Sequence, residues 1–250
     1  CQIDVLRIQK NIIIILRFFY LLGKFLIKEV FYLLLSLSFL ASGQEIKRSL
    51  KVKKIDQKIK LDGVLNELIW QEAEAADNFW QQFPTDSLKA LDKTEVKLLY
   101  NDTHLFIGVT ANSIGGNYTV NSLRRDYSSR NNDNVTILFD TFNDGQNGFL
   151  FGVNAYGVQR EALLSNRAVD LRGFNLTWDT KWKSESTYSD DKYVVEYAIP
   201  FSSLKYPENS KTWGFQAYRY DFQRNERSIW TNVDQNQHPI NIGFFGEIIF

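Results

Sequence analysis

Cysteine is almost absent from this sequence of 250 residues, whose single cysteine is Cys1. Disulfide bonds, thiol catalysis and cysteine-ligated zinc are therefore excluded for the rest of the chain. The two histidines, His104 and His238, are too few for the usual ligand set of a zinc hydrolase. A Gly-x-Ser-x-Gly elbow, a His-Glu-x-x-His helix and a P-loop are also missing from the sequence. These absences argue against the hydrolases and nucleotide-binding proteins that such motifs mark.

An excess of positive charge is lacking as well. Of the 29 basic and 29 acidic residues, five and two lie in the first 43 positions, which leaves 24 basic and 27 acidic residues in residues 44–250. The resulting net charge of −3 does not provide the basic footprint that nucleic acid requires as a main partner. Aromatic residues are abundant at 15%, and the six tryptophans all follow residue 43. Residues 44–250 are enough for one all-β domain with a sizeable core.

The N-terminal stretch has no uncharged run of 20 residues, because charged side chains interrupt it up to Glu29. Val30 to Leu40 has the length of a signal-peptide apolar region, and Ala41-Ser42-Gly43 predicts cleavage before Gln44. We therefore interpret residues 1–43 as a signal peptide or hydrophobic leader, with a membrane anchor as the alternative. The chain has no methionine, so Cys1 is not a normal translation start. The domain is expected to be exported to the periplasm, the outer membrane or the extracellular space.

The stretch from Asn132 to Arg160 is the centre of the predicted fold. Val135, Ile137 and Phe139 alternate with other side chains, a turn rich in Asn, Asp and Gly follows, and the alternation resumes at Phe149. Two period-two runs around an Asp-Gly turn predict a hairpin, and a third strand follows Gly157. Polar residues at the ends of these strands are the first place to look for a site: Asp126, Asp133, Asn154 and Arg160.

The remaining alternation predicts further hairpins over residues 94–109 and 182–199 and strands over 213–222 and 244–250. Residues 49–61 are predicted as an edge strand guarded by lysines, and residues 64–75 as a short helix. Residues 112–132 and 165–180 are long loops, which in compact domains are often functional. The predicted fold class is all-β, a β-sandwich of jelly-roll or immunoglobulin-like type, with one short helix near residues 65–75.

The chain carries an ordered set of short motifs. They are Ile59-Lys60-Leu61-Asp62-Gly63 with Trp70, Thr94 to Tyr100, Arg125-Asp126, Asp133 to Asp140, Phe151-x-Val153-Asn154-x-x-Gly157, Trp178-Asp179-x-x-Trp182, Val195-Glu196-x-x-Ile199-Pro200-Phe201, Trp213-Gly214-Phe215 and Gly243 to Glu247. No single motif is specific by itself, but the ordered set, over about residues 55–250, resembles the family 9 carbohydrate-binding module, in the version found at the N-terminus of DUF5916-type exported bacterial proteins.

The resemblance implies a β-sandwich that binds a saccharide or glycan without catalysis and serves carbohydrate catabolism in a larger exported protein. It also implies a C-terminal domain in the parent protein, in this version a membrane β-barrel, which the given sequence does not include. Two alternatives stay open. One is a glycoside hydrolase acting on O-glycosyl bonds, and the other is a periplasmic interaction or plug domain of an outer-membrane β-barrel protein.

Sugar recognition needs flat apolar faces and paired polar groups, which directs attention to particular side chains. Trp178, beside Asp179 in a long loop, is the first candidate for stacking, and Trp80 and Trp230 are the others. Arg125, Asp126, Asn154 and Arg219 are candidate hydrogen-bonding residues. Each has a structural alternative: core packing for the tryptophans, a local ion pair for Arg125-Asp126, a turn cap for Asn154 and a buried carboxylate partner for Arg219.

The sequence bears on two further kinds of site, a calcium loop and a paired-carboxylate active site. Asp140 to Gly145 is similar to part of an EF-hand loop but has Phe142 and Phe151 where oxygen ligands belong, so it is interpreted as a turn. No cofactor is therefore required, although calcium stays possible because some members of the family bind it. A glycosidase needs two carboxylates, and no motif singles out a pair among Asp126, Asp133, Glu161 and Asp179.

Overall fold

The computed structural model describes residue 20, residues 22–29 and residues 47–250. The chain divides into two compact units, Cys1–Ile46 and Lys47–Phe250. Residues 22–29 are helical, whereas the predicted apolar region and the cleavage site before Gln44 lie outside the described residues. In the part of the chain that the structure describes, no helix combines the length and the apolar character needed to cross a membrane.

The second unit consists of two β-sheets, as the alternation predicted. The nine-stranded sheet contains, in spatial order, β1 (Ser49–Lys51), β15 (Gly246–Ile249), β13 (Thr212–Asp221), β7 (Asn134–Asp140), β8 (Gly148–Asn154), β9 (Gln159–Leu164) and β10 (Phe174–Asn175), with β14 (Glu226–Ile229) beside β13 and β4 (Trp80–Phe83) beside β14. The six-stranded sheet contains β11 (Lys183–Tyr188), β12 (Lys192–Pro200), β6 (His104–Asn112), β5 (Thr94–Tyr100) and β2 (Lys53–Lys54), with β3 (Ala75–Ala76) beside β5.

The predicted hairpins are confirmed as antiparallel pairs. β7 pairs with β8 in a register that places Ile137 opposite Phe151, and β8 pairs in turn with β9. Every residue of β7 and β8 is buried, because one face packs on the other sheet and the opposite face is covered by loops. This double burial explains why the two strands carry almost no charge.

The main core lies between the two sheets and follows the period of two. Val135, Ile137 and Phe139 of β7 share this core with Phe215 of β13 and Leu98 of β5. The alternate side chains of the nine-stranded sheet form a second apolar cluster, which includes Leu138, Leu150, Ala162, Tyr218 and Ile240. The nine-stranded sheet therefore has an inner face and an outer face, and each face carries a packed apolar cluster.

The predicted helix over residues 64–75 is wrong in length, since the helix α1 spans only Ile69–Glu72. Ala75 and Ala76 instead pair with β5 as a strand, which a helix could not do. Leu65 and Trp70 reach down onto Gly108 of β6, where an added Cβ would come within 2.7 Å of a Leu65 methyl. The segment therefore follows the outer face of the six-stranded sheet closely instead of coiling.

The predicted edge strand over residues 49–61 is also corrected, because it is two short strands in different sheets. β1 pairs in parallel with β15, and β2 pairs in parallel with β5. Val52 between them is buried in the core shared by both sheets. The prediction that lysines occupy a sheet edge is confirmed, since β1 and β2 each end the strand order of their sheet.

Candidate functional site

Several of the predicted site residues meet on the inner side of β9, around the carboxylate of Glu161. Arg125 Nε donates to Glu161 Oε1 at 3.0 Å, and its Nη2 forms an ion pair with the same oxygen. The same Nη2 lies 3.3 Å from Asp179 Oδ1, and Trp182 Nε1 donates to Glu161 Oε2 at 3.3 Å. We call Arg125, Glu161, Asp179 and Trp182 the inner cluster.

The inner cluster holds the two long loops together. Glu161 is fully buried, and burial raises the pKa of its carboxyl while the Arg125 guanidinium opposes that change. Trp178 is half-buried beside the cluster, with its ring 5.3 Å from Phe149 and 6.1 Å from Phe151 between ring centroids. Trp178 therefore contributes packing to the inner core, and the polar groups around it already bind one another.

Three predicted ligand-binding residues make the structural contacts that were given as their alternatives. Trp230 is 2% exposed and packs against Phe215 at 5.1 Å, so its ring has no free face for stacking. Arg219 is also 2% exposed and donates to Asp221 Oδ2 at 2.8 Å, the carboxylate partner considered as its alternative. Asn154 is fully buried, and its Oδ1 accepts from the backbone N–H groups of Tyr156 and Val158 in the turn that follows.

Trp80 lies in β4, apart from the inner cluster. The ammonium of Lys89 is 3.3 Å from the centroid of its ring and covers one face.

Asp126 is exposed, in a left-handed conformation with φ of 61°, and its Oδ1 accepts from the backbone N–H of Glu161 at 3.4 Å. Asp126 and Arg160, both among the polar residues predicted at the strand ends, line the cavity described next, on the other face of the sheet.

The outer face of the nine-stranded sheet carries a groove of about 370 Å³, which we call the outer groove. Its floor comes from β9 and β13, and its walls come from three loops that converge there. The lining residues are Asp126, Tyr127, Ser128, Ser129 and Arg130 from the first long loop, Leu171, Phe174 and Leu176 from the second, His238, Pro239 and Ile240 from the segment after β14, and Arg160, Tyr218 and Tyr220 from the floor. The volume is at the lower end of the range of small-molecule sites, roughly 300–1,000 Å³.

Arg160 is the central polar group of the outer groove. It is 4% exposed, and its guanidinium carbon lies 5.5 Å from the ring of Phe174 and 5.8 Å from the ring of Tyr127. Within the described part of the chain, the guanidinium has no hydrogen bond or ion pair, and its Nε is buried without a partner. Its terminal nitrogens are therefore free to donate to an acceptor that enters the groove.

Tyr127 is a second unsatisfied polar group in the outer groove. Its side chain is 3% exposed, and its hydroxyl is buried without a hydrogen-bond partner among the described residues. Burial raises the pKa of this hydroxyl well above its usual value, so it stays protonated and can donate. Arg160 and Tyr127 both line a cavity whose floor and wall are aromatic, and both carry a donor that has no partner among the described residues. This arrangement suits a small polar molecule with a flat apolar face.

The sequence contained part of the signal for the outer groove. Arg160 was among the polar residues at the strand ends, and both long loops that were expected to be functional supply lining residues. Tyr218 and Tyr220 were missed, although they alternate with Phe215 and Ala217 of the core and so had to lie on the opposite face. The wall formed by His238 to Ile240 had no sequence signal.

A metal site is not evident in the outer groove. Among residues 20, 22–29 and 47–250, no three acidic, histidine or cysteine side chains cluster in a way that could hold a metal ion. In the loop after β7, Asp140 Oδ2 accepts from the backbone N–H of Gly145 at 2.7 Å, and its Oδ1 is buried without a partner. This local turn agrees with the interpretation of residues 140–145 as a turn.

Comparison with known proteins relates this architecture to sugar-binding modules. The family model described as "Carbohydrate family 9 binding domain-like" matches residues 61–249. A family 9 carbohydrate-binding module from Caldicellulosiruptor kristjanssonii in complex with glucose superposes with a TM-score of 0.56 at 20% identity, covering 81% of this chain and 95% of that one. The cellotriose complex of a family 9 module from the same organism gives 0.55 at 20% identity, covering 81% and 93%.

A protein from Bacteroides uniformis superposes with a TM-score of 0.60 at 12% identity, covering 82% of this chain and 99% of that one. Identities this low establish a common fold and no more. A search among curated proteins found no match.

Proposed function

The chain belongs to the carbohydrate family 9 binding domain-like family, and from this membership we propose that residues 47–250 bind a saccharide in the outer groove without chemically changing it. The solved relatives from Caldicellulosiruptor kristjanssonii hold glucose and cellotriose, which supports this class of ligand. The expectation of carbohydrate binding thus rests on the family and on a groove of suitable size and chemistry.

The observation that carries the proposal is the pair of unsatisfied donors, Arg160 and Tyr127, inside an aromatic groove. Ring hydroxyls can accept from a guanidinium and from a phenol, and the C–H face of a pyranose packs on tyrosine or phenylalanine rings. Tyr220 and Phe174 are partly exposed and offer such surfaces. The inner cluster lacks comparable free donors, since Arg125 is bonded to Glu161, Gln159 and Asp179.

The acidic side chains of the groove support binding without catalysis. A glycosidase places two carboxylates across the scissile bond. Among the described residues that line the outer groove, Asp126 is the single carboxylate. Glu161, Asp179 and Asp133 do not line it, and Glu161 is held by Arg125 on the opposite face of the sheet.

We further propose the setting in which this binding operates. The hydrophobic leader predicted for residues 1–43 supports export, to a compartment where glycans are found. A saccharide-binding domain joined to further domains would hold the parent protein against its glycan, in the service of carbohydrate catabolism. Metal is not required in this proposal, because the donors of the groove act on sugar oxygens directly.

Calorimetric titration of the purified protein with a panel of mono- and oligosaccharides tests the proposal. We expect at least one sugar to bind, Arg160→Ala to abolish that binding, and Trp178→Ala to leave it in place. Binding that is lost with Trp178→Ala and kept with Arg160→Ala would move the site to the inner side of β9. Failure of every sugar to bind would overturn the proposal in favour of an interaction domain, which should then retain the C-terminal part of the parent protein in a pull-down.

A further inference from the structure

The charge of the outer groove is unbalanced toward positive. Its lining includes the guanidinium groups of Arg160 and Arg130 against a single carboxylate, that of Asp126. Asp126 is exposed at the rim, and its Oδ1 accepts a backbone N–H of β9. Arg160 is deep in the groove and 4% exposed. Asp126 therefore does not act as a buried counter-ion for the guanidinium.

The acidic residues of the adjoining depression are committed elsewhere. A smaller cavity of about 160 Å³ shares Arg130 and Tyr220 with the outer groove and is also lined by Asp221 and Glu226. Asp221 Oδ2 accepts from Arg219 at 2.8 Å, and Glu226 Oε2 accepts from Gln81 Nε2 at 2.6 Å. Neither carboxylate forms an ion pair with Arg160 in the described structure, so the guanidinium stays uncompensated.

Arg160 is held in position by its surroundings. Its aliphatic stem crosses the open backbone of Gly152, where an added Cβ would lie 2.8 Å from Arg160 Cγ. The rings of Phe174 and Tyr127 lie within 6 Å of its guanidinium carbon and restrict its orientation through cation–π contacts. A guanidinium that is fixed before binding loses little conformational freedom on meeting a carboxylate, which it can bind with two parallel hydrogen bonds.

A neutral sugar satisfies the hydrogen bonds of such a group but leaves its charge uncompensated, whereas a carboxylate does both. We propose that the outer groove selects a saccharide that carries a carboxylate, a uronic acid unit, and that this carboxylate pairs with Arg160 while Tyr127 donates to a neighbouring oxygen. The inference rests on the proposed function, because it assumes that the outer groove is the saccharide site. It adds the chemical class of the sugar and the residue that selects it.

The test is a calorimetric titration of the purified protein with matched neutral and acidic sugars. The probes are glucose with glucuronic acid, galactose with galacturonic acid, the uronic acid methyl esters, which keep the shape without the charge, and galactose 6-sulfate. We expect the acids to bind at least about tenfold more tightly than the neutral sugars and the esters. Arg160→Gln should remove this preference, and Arg160→Lys should retain only part of it, because lysine lacks the planar fork.

Lys58→Gln is the charge-matched control. Lys58 is exposed and lies next to Ile59, which packs on the outer face of the six-stranded sheet. Because this position is away from the outer groove, Lys58→Gln should leave the preference for acidic sugars unchanged. If neutral and acidic sugars bind equally well and both lose affinity in Arg160→Gln, this inference is overturned and the proposed function stands. A preference for galactose 6-sulfate over galacturonic acid, or a preference for acids that survives Arg160→Gln, would also overturn it. Absence of binding by all probes would overturn both proposals together.

Discussion

Arg160 and Glu161 are neighbours in β9, and their side chains lie on opposite faces of the nine-stranded sheet. Arg160 lines the outer groove, whereas Glu161 accepts from Trp182 and Arg125 on the inner side. Strand geometry requires this separation, because successive side chains of a strand alternate between faces. The loop before β7 also reaches both faces, since Arg125 belongs to the inner cluster and Tyr127 lines the outer groove. The two sites can therefore be changed independently.

Replacing Trp178 by alanine should weaken the fold and leave saccharide affinity intact. The ring packs against Phe149 and Phe151 in the inner core, and removing a large aromatic side chain from a full core costs roughly 3–5 kcal/mol. Because Trp178 is only partly buried, we expect a smaller loss of about 1–3 kcal/mol in the free energy of unfolding. Urea denaturation and calorimetric titration of the same sample measure the two effects, and a parallel loss of affinity would contradict the separation of the sites.

Arg125→Ala should destabilise the domain by leaving Glu161 without its cation. The Glu161 side chain is 1% exposed and that of Arg125 is 42% exposed. Breaking a buried pair from one side costs about 3–5 kcal/mol, and the exposure of Arg125 reduces the expected loss to about 1–3 kcal/mol. Asp179→Asn is the matched control, since Asp179 is 83% exposed and should contribute under about 0.5 kcal/mol. Equal losses for both variants, measured by urea denaturation, would refute this explanation.

The strands were predictable from the sequence because their period is local. The hairpins β5–β6 and β7–β8 each show alternating apolar residues on both sides of a turn, and a ladder of neighbouring strands needs no distant information. The burial of Trp230 was not predictable in this way. Its ring packs on Phe215, and only the pairing of β13 with β14 determines which face of the sheet it joins.

The outer groove could not be predicted from the sequence for a related reason. Its walls come from residues 126–130, 171–176 and 238–240, which are far apart in the chain and carry no periodic pattern. Alternation in β9 and β13 identifies the face on which Arg160 and Tyr218 lie, but it cannot say whether a loop covers them. Whether a buried arginine finds a carboxylate is likewise a tertiary property: Arg219 has Asp221 at 2.8 Å, and Arg160 has no such partner in the described structure.

Glu196→Gln should change how stability depends on pH. Glu196 Oε2 accepts from the backbone N–H groups of Asp62 and Gly63, each at 2.8 Å. Burial raises the pKa of this carboxyl, with the two hydrogen bonds opposing the shift. The folded protein therefore holds this proton more tightly than the unfolded chain, whose glutamates titrate near pH ~4.3. The contribution of Glu196 to stability accordingly falls as pH rises from that value through its raised folded pKa.

Glutamine keeps an acceptor for both N–H groups and removes the titration. The stability of Glu196→Gln relative to the parent protein should therefore increase between pH 4 and pH 7, by about 1.4 kcal/mol for each unit by which the folded pKa is raised. Glu196→Ala serves as a control that loses the acceptor too, at a further cost of about 1–3 kcal/mol. Urea denaturation at several pH values provides the measurement, and a difference between variant and parent that is constant with pH would disprove the assignment.

Chelation of divalent metals should leave saccharide affinity unchanged. Calcium binds oxygen ligands, whereas the groups proposed to bind the sugar are the guanidinium of Arg160 and the hydroxyl of Tyr127 acting as donors. Titrations with EDTA and with added calcium should give the same dissociation constant. If EDTA abolished binding and calcium restored it, a metal would be required, and Asp140→Asn would then test the loop in which Asp140 Oδ1 is buried without a partner.

Gly152→Ala should reduce saccharide affinity without any contact to the ligand. An added Cβ would lie 2.8 Å from Arg160 Cγ and 3.0 Å from Thr136 Oγ1, so the stem of Arg160 must move and carry its guanidinium away from Phe174 and Tyr127. Overpacking of this kind costs roughly 1–3 kcal/mol of stability. Gly214→Ala is a matched control, because its Cβ would meet Asp140 Cβ at 2.9 Å, away from the groove. It should destabilise the fold and leave affinity unchanged.

The strain at Gly152 should disappear when the arginine stem is removed. In an Arg160→Ala background, Gly152→Ala should cost less stability than it does in the parent protein, because two of the three nearest contacts of the added Cβ are with Arg160 Cγ and Cδ. A double-mutant cycle measured by urea denaturation isolates this coupling, which for side chains in contact is about 0.5–3 kcal/mol. Additive losses would mean that Arg160 does not rest on Gly152 in solution, and the fixed guanidinium from which carboxylate selection was inferred would lose its support.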